Sequence, residues 1–155
     1  MLKEKDLVLI QQLRNNARCP MTRMSRKTGI PVSTIFDKVR NYKKSFVERF
    51  TCLFKFGELG FKSHSFTVFS VNRDRRNELK KFLLASPSVN ALYRINHKFD
   101  FLVDMIFKDI QELEDFFDII DDEFAVRPKH IFYVVNDIGR ELFLSREVKK
   151  QKKKH

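Results

Sequence analysis

The chain has 155 residues, 43% of them hydrophobic, with 17 Phe and no Trp. This apolar content is enough for a packed interior and excludes a globally disordered protein, and the length allows one ordinary domain or two small ones. The net charge of +11 points to a polyanionic partner, because summed basic charge attracts phosphate-bearing surfaces over long distances.

The positive charge lies at the two ends of the chain. Residues 1–60 contain 13 Lys and Arg against 5 Asp and Glu, residues 61–144 contain 12 against 14, and residues 145–155 contain 6 against 1. This distribution predicts three parts: a basic N-terminal module (1–60), a balanced second module (61–144) and a basic tail (145–155).

Cys19 and Cys52 are the only cysteines, and no CxxC pair or His cluster accompanies them. The sequence therefore predicts no metal site, no cofactor and no disulfide framework, and both thiols are expected to be reduced and partly buried. No leader-like apolar run follows a basic start, and no apolar stretch approaches the ~20 residues needed to span a bilayer. We expect a cytoplasmic protein without a membrane partner.

Three helices are predicted in the first 45 residues. An apolar stripe that includes Leu2 predicts a helix over residues 3–15. A second helix over residues 22–28 is expected to end at Gly29, because glycine most readily adopts the left-handed conformation that closes a helix. Pro31 disfavours helix at the residue before it and opens a third segment.

The third segment, within TGIPVSTIFDKVRNYKK, has a narrow apolar side. Ile35, Val39 and Tyr42 fall at i, i+4 and i+7, which predicts a stripe that faces the core of the first module. The opposite side carries Ser33, Thr34, Asp37, Arg40 and Asn41, with Phe36 and Lys38 on its flanks. Three helices joined in this way, with a tight glycine turn before the last, predict a helix-turn-helix unit.

The second module has a different pattern. FVERFTCLFKF, residues 46–56, predicts one or two short strands, and Gly57 and Gly60 mark the boundary between the modules. Beyond them we predict strands at 64–71, 89–95, 99–107 and 131–135 and helices at 73–85 and 109–124. The order β-α-β-β-α-β is that of a ferredoxin-like antiparallel sheet, so the predicted fold class is α+β.

Several positions together resemble the Lrp/AsnC family, the feast/famine transcription regulators of archaea and bacteria. The matching residues are Leu2, Asp6, Leu9, Ile10, Leu13 and Arg18 in the first helix; Gly29, Ser33, Thr34, Ile35, Lys38, Val39 and Arg40 around the third; and Phe50, Thr51, Ser86, Pro87, Val89, Phe99 and Asp100 beyond. Each match is weak alone, but their order and spacing over residues 2–144 are specific.

This resemblance implies a winged helix-turn-helix followed by a ferredoxin-like effector domain of the RAM or ACT-like kind. It further implies that effector domains pair into a homodimer through their sheets, that dimers can assemble into tetramers or octamers, and that an amino acid or similar small molecule binds between them. The effector contacts that it implies here are His97, Lys98, Phe99 and Asp100.

The chain departs from the family pattern in two places. The effector loop that usually contains Gly-Asp-Tyr-Asp is His97, Lys98, Phe99 and Asp100 here, so the glycine that lets backbone approach a small ligand is missing. The turn after the third helix, in KKSFVERF, is one residue shorter and lacks the family's glycine. These differences call amino-acid sensing into question and predict a reoriented wing.

The third helix and its surroundings are predicted to bind double-stranded DNA. Arg and Asn are the residue types that read guanine and adenine in the major groove, whereas Lys and Arg around the helix suit phosphate contacts. The predicted contacts are Arg23, Arg26, Lys27, Ser33, Thr34, Asp37, Lys38, Arg40, Asn41, Lys43 and Lys44. Asp37 is expected to orient a neighbouring Arg or Lys, or to accept from a cytosine. A dimer would read a near-palindromic operator.

Other interpretations stay open. The contact residues could form only a solvated helix face, the basic tail could serve DNA attraction or solubility, and the acidic face of the 109–124 helix is most simply solvated. The chain could also be a ligand-sensing or heterodimerising subunit without specific DNA binding. An enzyme that resembles the family's tetrapyrrole-decarboxylating offshoot is a further alternative, but no nucleophile with an adjacent base and no metal-ligand spacing is present. We therefore predict a regulator that is not an enzyme.

Overall fold

A computed structural model of the chain describes residues 3–96 and 98–145. Met1, Leu2, His97 and residues 146–155 lie outside the described residues. The predictions for Leu2 in the first apolar stripe, for His97 in the effector loop and for nearly all of the basic tail therefore fall outside the described part of the chain.

The described chain forms two compact units. The first comprises residues 3–53 together with residues 138–145, and the second is Phe54–Asp137. The sequence placed the boundary between modules at residue 60, whereas the compact units divide after Leu53. The segment 138–145 groups with the first unit, whereas the sequence assigned residues 138–144 to the second module and residue 145 to the basic tail.

Three helices make up most of the first unit. They are α1 (Glu4–Asn15), α2 (Met21–Thr28) and α3 (Val32–Ser45). Gly29 ends α2 with a φ of 67°, the left-handed conformation that glycine adopts without steric penalty. Pro31 precedes the first residue of α3. The predicted helices and their glycine turn are therefore confirmed to within one or two residues.

A single apolar cluster holds these helices together. Ile35, Val39 and Tyr42, the predicted inner stripe of α3, are all buried, and Ile35 is 0% exposed. They pack with Leu9 of α1, Met24 of α2 and Ile30 of the turn between α2 and α3. Burial of such a stripe contributes about 1.5 to 3 kcal/mol per large apolar side chain, so packing fixes which side of α3 remains outside.

The strands predicted for residues 46–56 are not present. Residues 46–55 have no regular secondary structure, and a short 3-10 helix, η1 (Phe56–Leu59), follows them. A strand needs a neighbouring backbone to bond its N–H and C=O groups, and none of the described strands pairs with this segment. Phe50 and Leu53 remain exposed. Local β propensity predicted a strand here, but no partner segment completes it.

The second unit has the predicted β-α-β-β-α-β order. Its elements are β1 (Ser63–Phe69), α4 (Arg76–Ala85), β2 (Val89–Arg94), β3 (Phe101–Phe107), α5 (Ile110–Phe124) and β4 (His130–Tyr133). The strands form one antiparallel sheet in the order β2-β3-β1-β4. The ferredoxin-like fold and the α+β class are confirmed.

Both helices of this unit cover the same face of the sheet. Side chains of a strand alternate between its two faces, and Phe69 of β1 and Met105 of β3 point into the core with Leu83 of α4 and Phe117 of α5. The register of β2 against β3 shifts at Asn90, between Val89 and Ala91. The other face of the sheet carries no helix of the described chain.

Two smaller observations complete the fold. Cys19 is half-buried, as predicted, but Cys52 is exposed. The prediction of a partly buried thiol is wrong for Cys52 because this residue lies in the segment 46–55, which pairs with none of the described strands.

Within the described ranges, no helix combines the length and apolar character required to traverse a membrane.

The end of α5 provides a test of its conformation. Ala125 caps this helix with a φ of 52°, a conformation that costs alanine energy and glycine almost none. Ala125→Gly should therefore raise the free energy of unfolding by about 0.5 to 1 kcal/mol, measured by urea denaturation. The matched control is Ala85→Gly in the last turn of α4, which should lower stability because the backbone there is right-handed helix. Equal destabilisation by both changes would contradict the left-handed cap.

Candidate nucleic-acid interface

The outer side of α3 is an open polar surface. Packing of the apolar stripe turns the opposite side to solvent, and the five predicted contact residues on that side are all exposed: Ser33, Thr34, Asp37, Arg40 and Asn41. These side chains offer hydroxyl, amide, guanidinium and carboxylate groups, which are the groups that read base edges in the major groove. We refer to these five residues as the α3 face.

Asp37 and Arg40 lie one turn apart on the α3 face and contact each other. Arg40 Nη2 is 3.1 Å from Asp37 Oδ1, and both side chains are 60% exposed. An ion pair this exposed adds little to stability. The sequence predicted that Asp37 either orients a neighbouring Arg or Lys or accepts from a cytosine, and both roles in DNA binding stay predictions. An Arg held in one orientation loses less entropy when it binds a base.

Lys38 is placed differently from the other predicted contacts on α3. Its Nζ is 2.6 Å from Asp6 Oδ1 of α1, and its side chain is only 33% exposed. Its charge is thus engaged in joining α3 to α1. The DNA contact expected of Lys38 remains a prediction, and this ion pair disfavours it.

Asp6 links the first helix to the third. Its Oδ2 accepts from the backbone N–H of Lys3 at 3.2 Å, which caps the first turn of α1. Its Oδ1 accepts from Lys38 Nζ and from the Tyr42 hydroxyl, each at 2.6 Å. The bonds from Lys38 and Tyr42 hold the pKa of Asp6 at about 2, whereas burial and the neighbouring carboxylate raise the pKa of Tyr42. Asp6 is therefore ionised at neutral pH and fixes α3 in place.

From the sequence, Asp6 matched the family pattern and lay in the first turn of α1, where a carboxylate favours the helix N-terminus, but its contact with α3 was not predicted. A signal was present, since Lys38 and Tyr42 are four residues apart and so lie on one side of α3. Nothing in the sequence, however, showed that an acid of α1 lies opposite them.

Basic residues flank the α3 face on two sides. Arg23, Arg26 and Lys27 of α2 and Lys43 and Lys44 of the last turn of α3 are all exposed. Lys43 Nζ lies 5.2 Å from the centre of the Phe50 ring, within the range of a cation–π contact. Exposed cations on flexible stems suit phosphate contacts, which add affinity without reading sequence.

Phe36 is a residue of this surface that the prediction left out. Its side chain is 54% exposed, and it precedes Asp37 and lies one turn before Arg40 on α3. An aromatic side chain at this position can contact the methyl group of thymine. The sequence placed Phe36 only at the margin of the polar side of α3. It did not show that this large apolar side chain is exposed, which is the observation that adds Phe36 to the surface.

The predicted effector loop has one exposed residue, Lys98, and one buried residue, Asp100. Lys98 is exposed, and its Nζ lies 5.4 Å from the centre of the Phe99 ring. Asp100, in contrast, is 5% exposed. Its Oδ2 accepts from the backbone N–H of Val71 at 2.9 Å, and its Oδ1 is 2.6 Å from Arg76 Nη2. The carboxylate of Asp100 thus holds the loop in place.

The helix-free face of the second unit carries a polar cluster among aromatic residues. His64 Nε2 is 2.7 Å from Asp104 Oδ1, and Asn90 donates to Asp104 Oδ2 at 2.5 Å. Around this cluster, Tyr93 is 53% exposed and Phe132 is 57% exposed. A sheet face with this much uncovered aromatic surface is typical of an interaction site.

These observations define a class of protein: a helix-turn-helix unit with an exposed polar third helix, followed by a ferredoxin-like unit. Curated relatives agree. The chain is 27% identical over 135 residues to the HTH-type transcriptional regulator FL11 of Pyrococcus horikoshii, a match that covers 86% of this chain and 89% of that protein. The FL11 of Pyrococcus furiosus is 24% identical with the same coverage. No family model matches the chain.

Solved structures show the same fold. Bacillus subtilis LrpC superimposes with a TM-score of 0.81 and 17% identity, covering 90% of this chain and 98% of that one. The feast or famine regulatory protein Rv3291c of Mycobacterium tuberculosis, in complex with L-methionine, gives 0.79 and 16%, covering 90% and 96%. The resemblance to the Lrp/AsnC family that the sequence indicates is confirmed by these relatives and structures.

The contact between α1 and α3 makes stability depend on pH. The pKa of Asp6 is about 2 in the folded chain against an ordinary 3.8, so the unfolded chain binds the proton first as pH falls. The stabilisation, about 2 kcal/mol, is complete above pH 4 and is lost between about pH 4 and 2. Asp6→Asn should lower the free energy of unfolding by a similar amount at neutral pH, with the difference shrinking through that window, as measured by urea denaturation.

Asp37→Asn is the matched control, because Asp37 is an exposed acid of the same unit, and it should change stability by less than about 0.5 kcal/mol. A difference between Asp6→Asn and the unmodified protein that stays constant from pH 7 to pH 2 would show that the charge of Asp6 is not what joins the helices.

Proposed function

We propose that this protein is a DNA-binding transcription regulator of the Lrp/AsnC type, whose α3 enters the major groove and reads a specific operator. The observation that carries the proposal is the α3 face. In a helix-turn-helix unit, its five polar residues are all exposed while the inner stripe is buried to the last residue. The relatives named as transcriptional regulators support the same function.

Within this proposal the contact residues divide into two groups. Ser33, Thr34, Arg40 and Asn41 on the α3 face, with Phe36 beside them, would read base edges. The exposed cations of α2 and of the last turn of α3 would hold phosphates and so set the position of α3 in the groove. Lys38 belongs with neither group, because Asp6 neutralises it.

We further propose that two copies pair through the helix-free sheet face of the second unit. The exposed aromatic residues Tyr93 and Phe132 on that face provide apolar area that a second copy would bury. A two-fold dimer presents two α3 helices, so the operator would be near-palindromic, with half-sites about one helical turn apart. Such a regulator would act in the cytoplasm, on the chromosome.

Binding of an effector is a separate proposal on which DNA recognition does not depend. Rv3291c is solved with L-methionine. In this chain the loop in which the family resemblance places an effector contains Lys98, which is exposed, and Phe99, which is half-buried. The carboxylate of Asp100 is already engaged by Arg76, so a ligand amine would have to displace that guanidinium. We therefore propose that any effector here is recognised mainly through Lys98 and Phe99.

The direct test is selection from a pool of randomised duplexes by the purified protein, with enriched sequences measured again at several salt concentrations. An enriched palindrome with half-sites about one turn apart is the expected result. Binding without enrichment that weakens steadily with salt would overturn the proposal. It would favour the alternative of a subunit that needs a DNA-competent partner.

Substitution of Arg40 tests whether a side chain of the α3 face reads base edges or only binds phosphate. Arg40→Ala should weaken binding to the selected operator by about 1 to 3 kcal/mol, with a much smaller loss on random DNA, because a base contact is specific and a phosphate contact is not. Binding is measured by fluorescence anisotropy on both duplexes. Arg73→Ala, an exposed arginine of the second unit, is the control. An equal loss on both duplexes would show that Arg40 only grips phosphate.

A further inference from the structure

A cleft of about 300 Å³ lies between the start of α1 and the turn that joins α2 to α3. Residues 29–31 of the turn line this cleft, together with Lys3, Lys5 and Asp6 at the start of α1 and Thr34 and Lys38 of α3. All of these residues belong to the first unit. The helix-turn-helix unit therefore forms the cleft by itself.

The cleft has an excess of positive charge. It contains three lysines and one acid, Asp6. Lys38 and Asp6 form an ion pair at 2.6 Å. Lys3 and Lys5 are both exposed, and neither side chain has an acidic partner within the described residues. Two positive charges that are left without a partner in one cleft attract an anion.

The carboxylate of Asp6 does not oppose an anion at the opening of the cleft. Its Oδ1 accepts from Lys38 and from the Tyr42 hydroxyl, and its Oδ2 accepts from the backbone N–H of Lys3. Asp6 is buried, whereas Lys3 and Lys5 are exposed. An anion that arrives from solvent therefore meets the two free ammonium groups first.

The turn beside the cleft leaves recognition to side chains. Gly29 has a φ of 67°, and its N–H donates to the carbonyl of Ser25 at 2.8 Å. The N–H of Ile30 donates to the Thr28 hydroxyl at 3.3 Å, and Pro31 has no N–H. Residues 29–31 thus offer no free backbone donor, so a ligand in the cleft would be held by the lysine side chains.

Thr34 places the cleft next to the surface that is proposed to read DNA. It lies in the first turn of α3, belongs to the α3 face and also lines the cleft. Every base of a DNA strand is attached to a backbone that carries phosphates. DNA whose bases contact this turn of α3 therefore brings a phosphate close to the cleft.

We infer that this cleft is a phosphate site, in which Lys3 and Lys5 hold a backbone phosphate of the DNA that α3 reads. The inference rests on the proposed function and adds α1 to the elements that contact DNA, whereas the sequence predicted contacts only on α2 and α3. A lysine ammonium binds phosphate as a point charge and reads no sequence. With Lys43 and Lys44 at the other end of α3, the site would fix the angle of this helix in the groove.

The test removes the two charges and keeps the helix. Lys3→Gln/Lys5→Gln retains long polar side chains with nearly the same helix propensity. Binding of the full chain to a random duplex at low salt should weaken by about 2- to 10-fold, and the slope of log affinity against log salt concentration should fall by about 0.9. The loss on the selected operator should equal that on random DNA, because phosphates carry no sequence information. Fluorescence anisotropy measures both.

Two further variants separate this site from a general effect of charge. Lys80→Gln/Lys81→Gln removes the same charge from exposed lysines of α4 in the second unit and should leave the salt slope unchanged. Lys3→Arg/Lys5→Arg keeps both charges and should bind within about 2-fold of the unmodified protein, since arginine also binds phosphate.

The possible outcomes separate the phosphate site from the proposed function. An unchanged salt slope for Lys3→Gln/Lys5→Gln, or an equal loss for Lys80→Gln/Lys81→Gln, would overturn the site. A loss confined to the operator would overturn it as well, because a phosphate contact does not distinguish the two duplexes. Each of these results leaves the α3 face as the reader of DNA. Absence of DNA binding by the unmodified protein at low salt would overturn the proposed function, and the phosphate site with it.

Discussion

One buried carboxylate determines how the helix-turn-helix unit presents its third helix. Asp6 caps α1 with one oxygen and accepts from Lys38 and Tyr42 of α3 with the other. Apolar packing alone is non-directional and would tolerate small rotations of α3 about its axis. Two short hydrogen bonds on consecutive turns of α3 remove that freedom. The polar residues on the outer side then point in fixed directions, which is what recognition of base edges requires.

The ion pair with Asp6 distinguishes Lys38 from the other lysines of α3, which the sequence alone does not. Lys38 and Lys43 both lie on α3, but the ammonium of Lys38 pairs with Asp6 whereas that of Lys43 lies over the ring of Phe50 near the surface. Counting basic residues therefore overstates the positive charge that faces a ligand. Of the lysines and arginines predicted to contact DNA, those of α2 and of the last turn of α3 are exposed, whereas Lys38 is engaged by Asp6.

The spacing of residues along the chain was sufficient to predict most helices and strands of the fold. It was insufficient for elements and contacts that depend on a second segment far away in the sequence. Helical stripes such as Ile35, Val39 and Tyr42 depend only on residue spacing, and they were predicted correctly, as was the β-α-β-β-α-β order. The segment 46–56 failed because a strand is completed by another backbone, which propensity does not supply. For the site, exposure of the α3 face followed from the stripe. The engagement of Lys38 by Asp6 and of Asp100 by Arg76 did not, because each pair joins residues far apart in sequence.

The two edge strands of the sheet limit association of the second unit with other chains. Its two outer strands are β2, which carries a register shift, and β4, which has only four residues. Short or irregular outer strands are poor templates for another chain's backbone. Fibre-like growth by strand addition is thereby discouraged in a chain with 17 Phe. In the dimer that we propose, contacts between copies would use the broad face of the sheet, where side chains rather than backbone select the partner and assembly can close at a defined number of subunits.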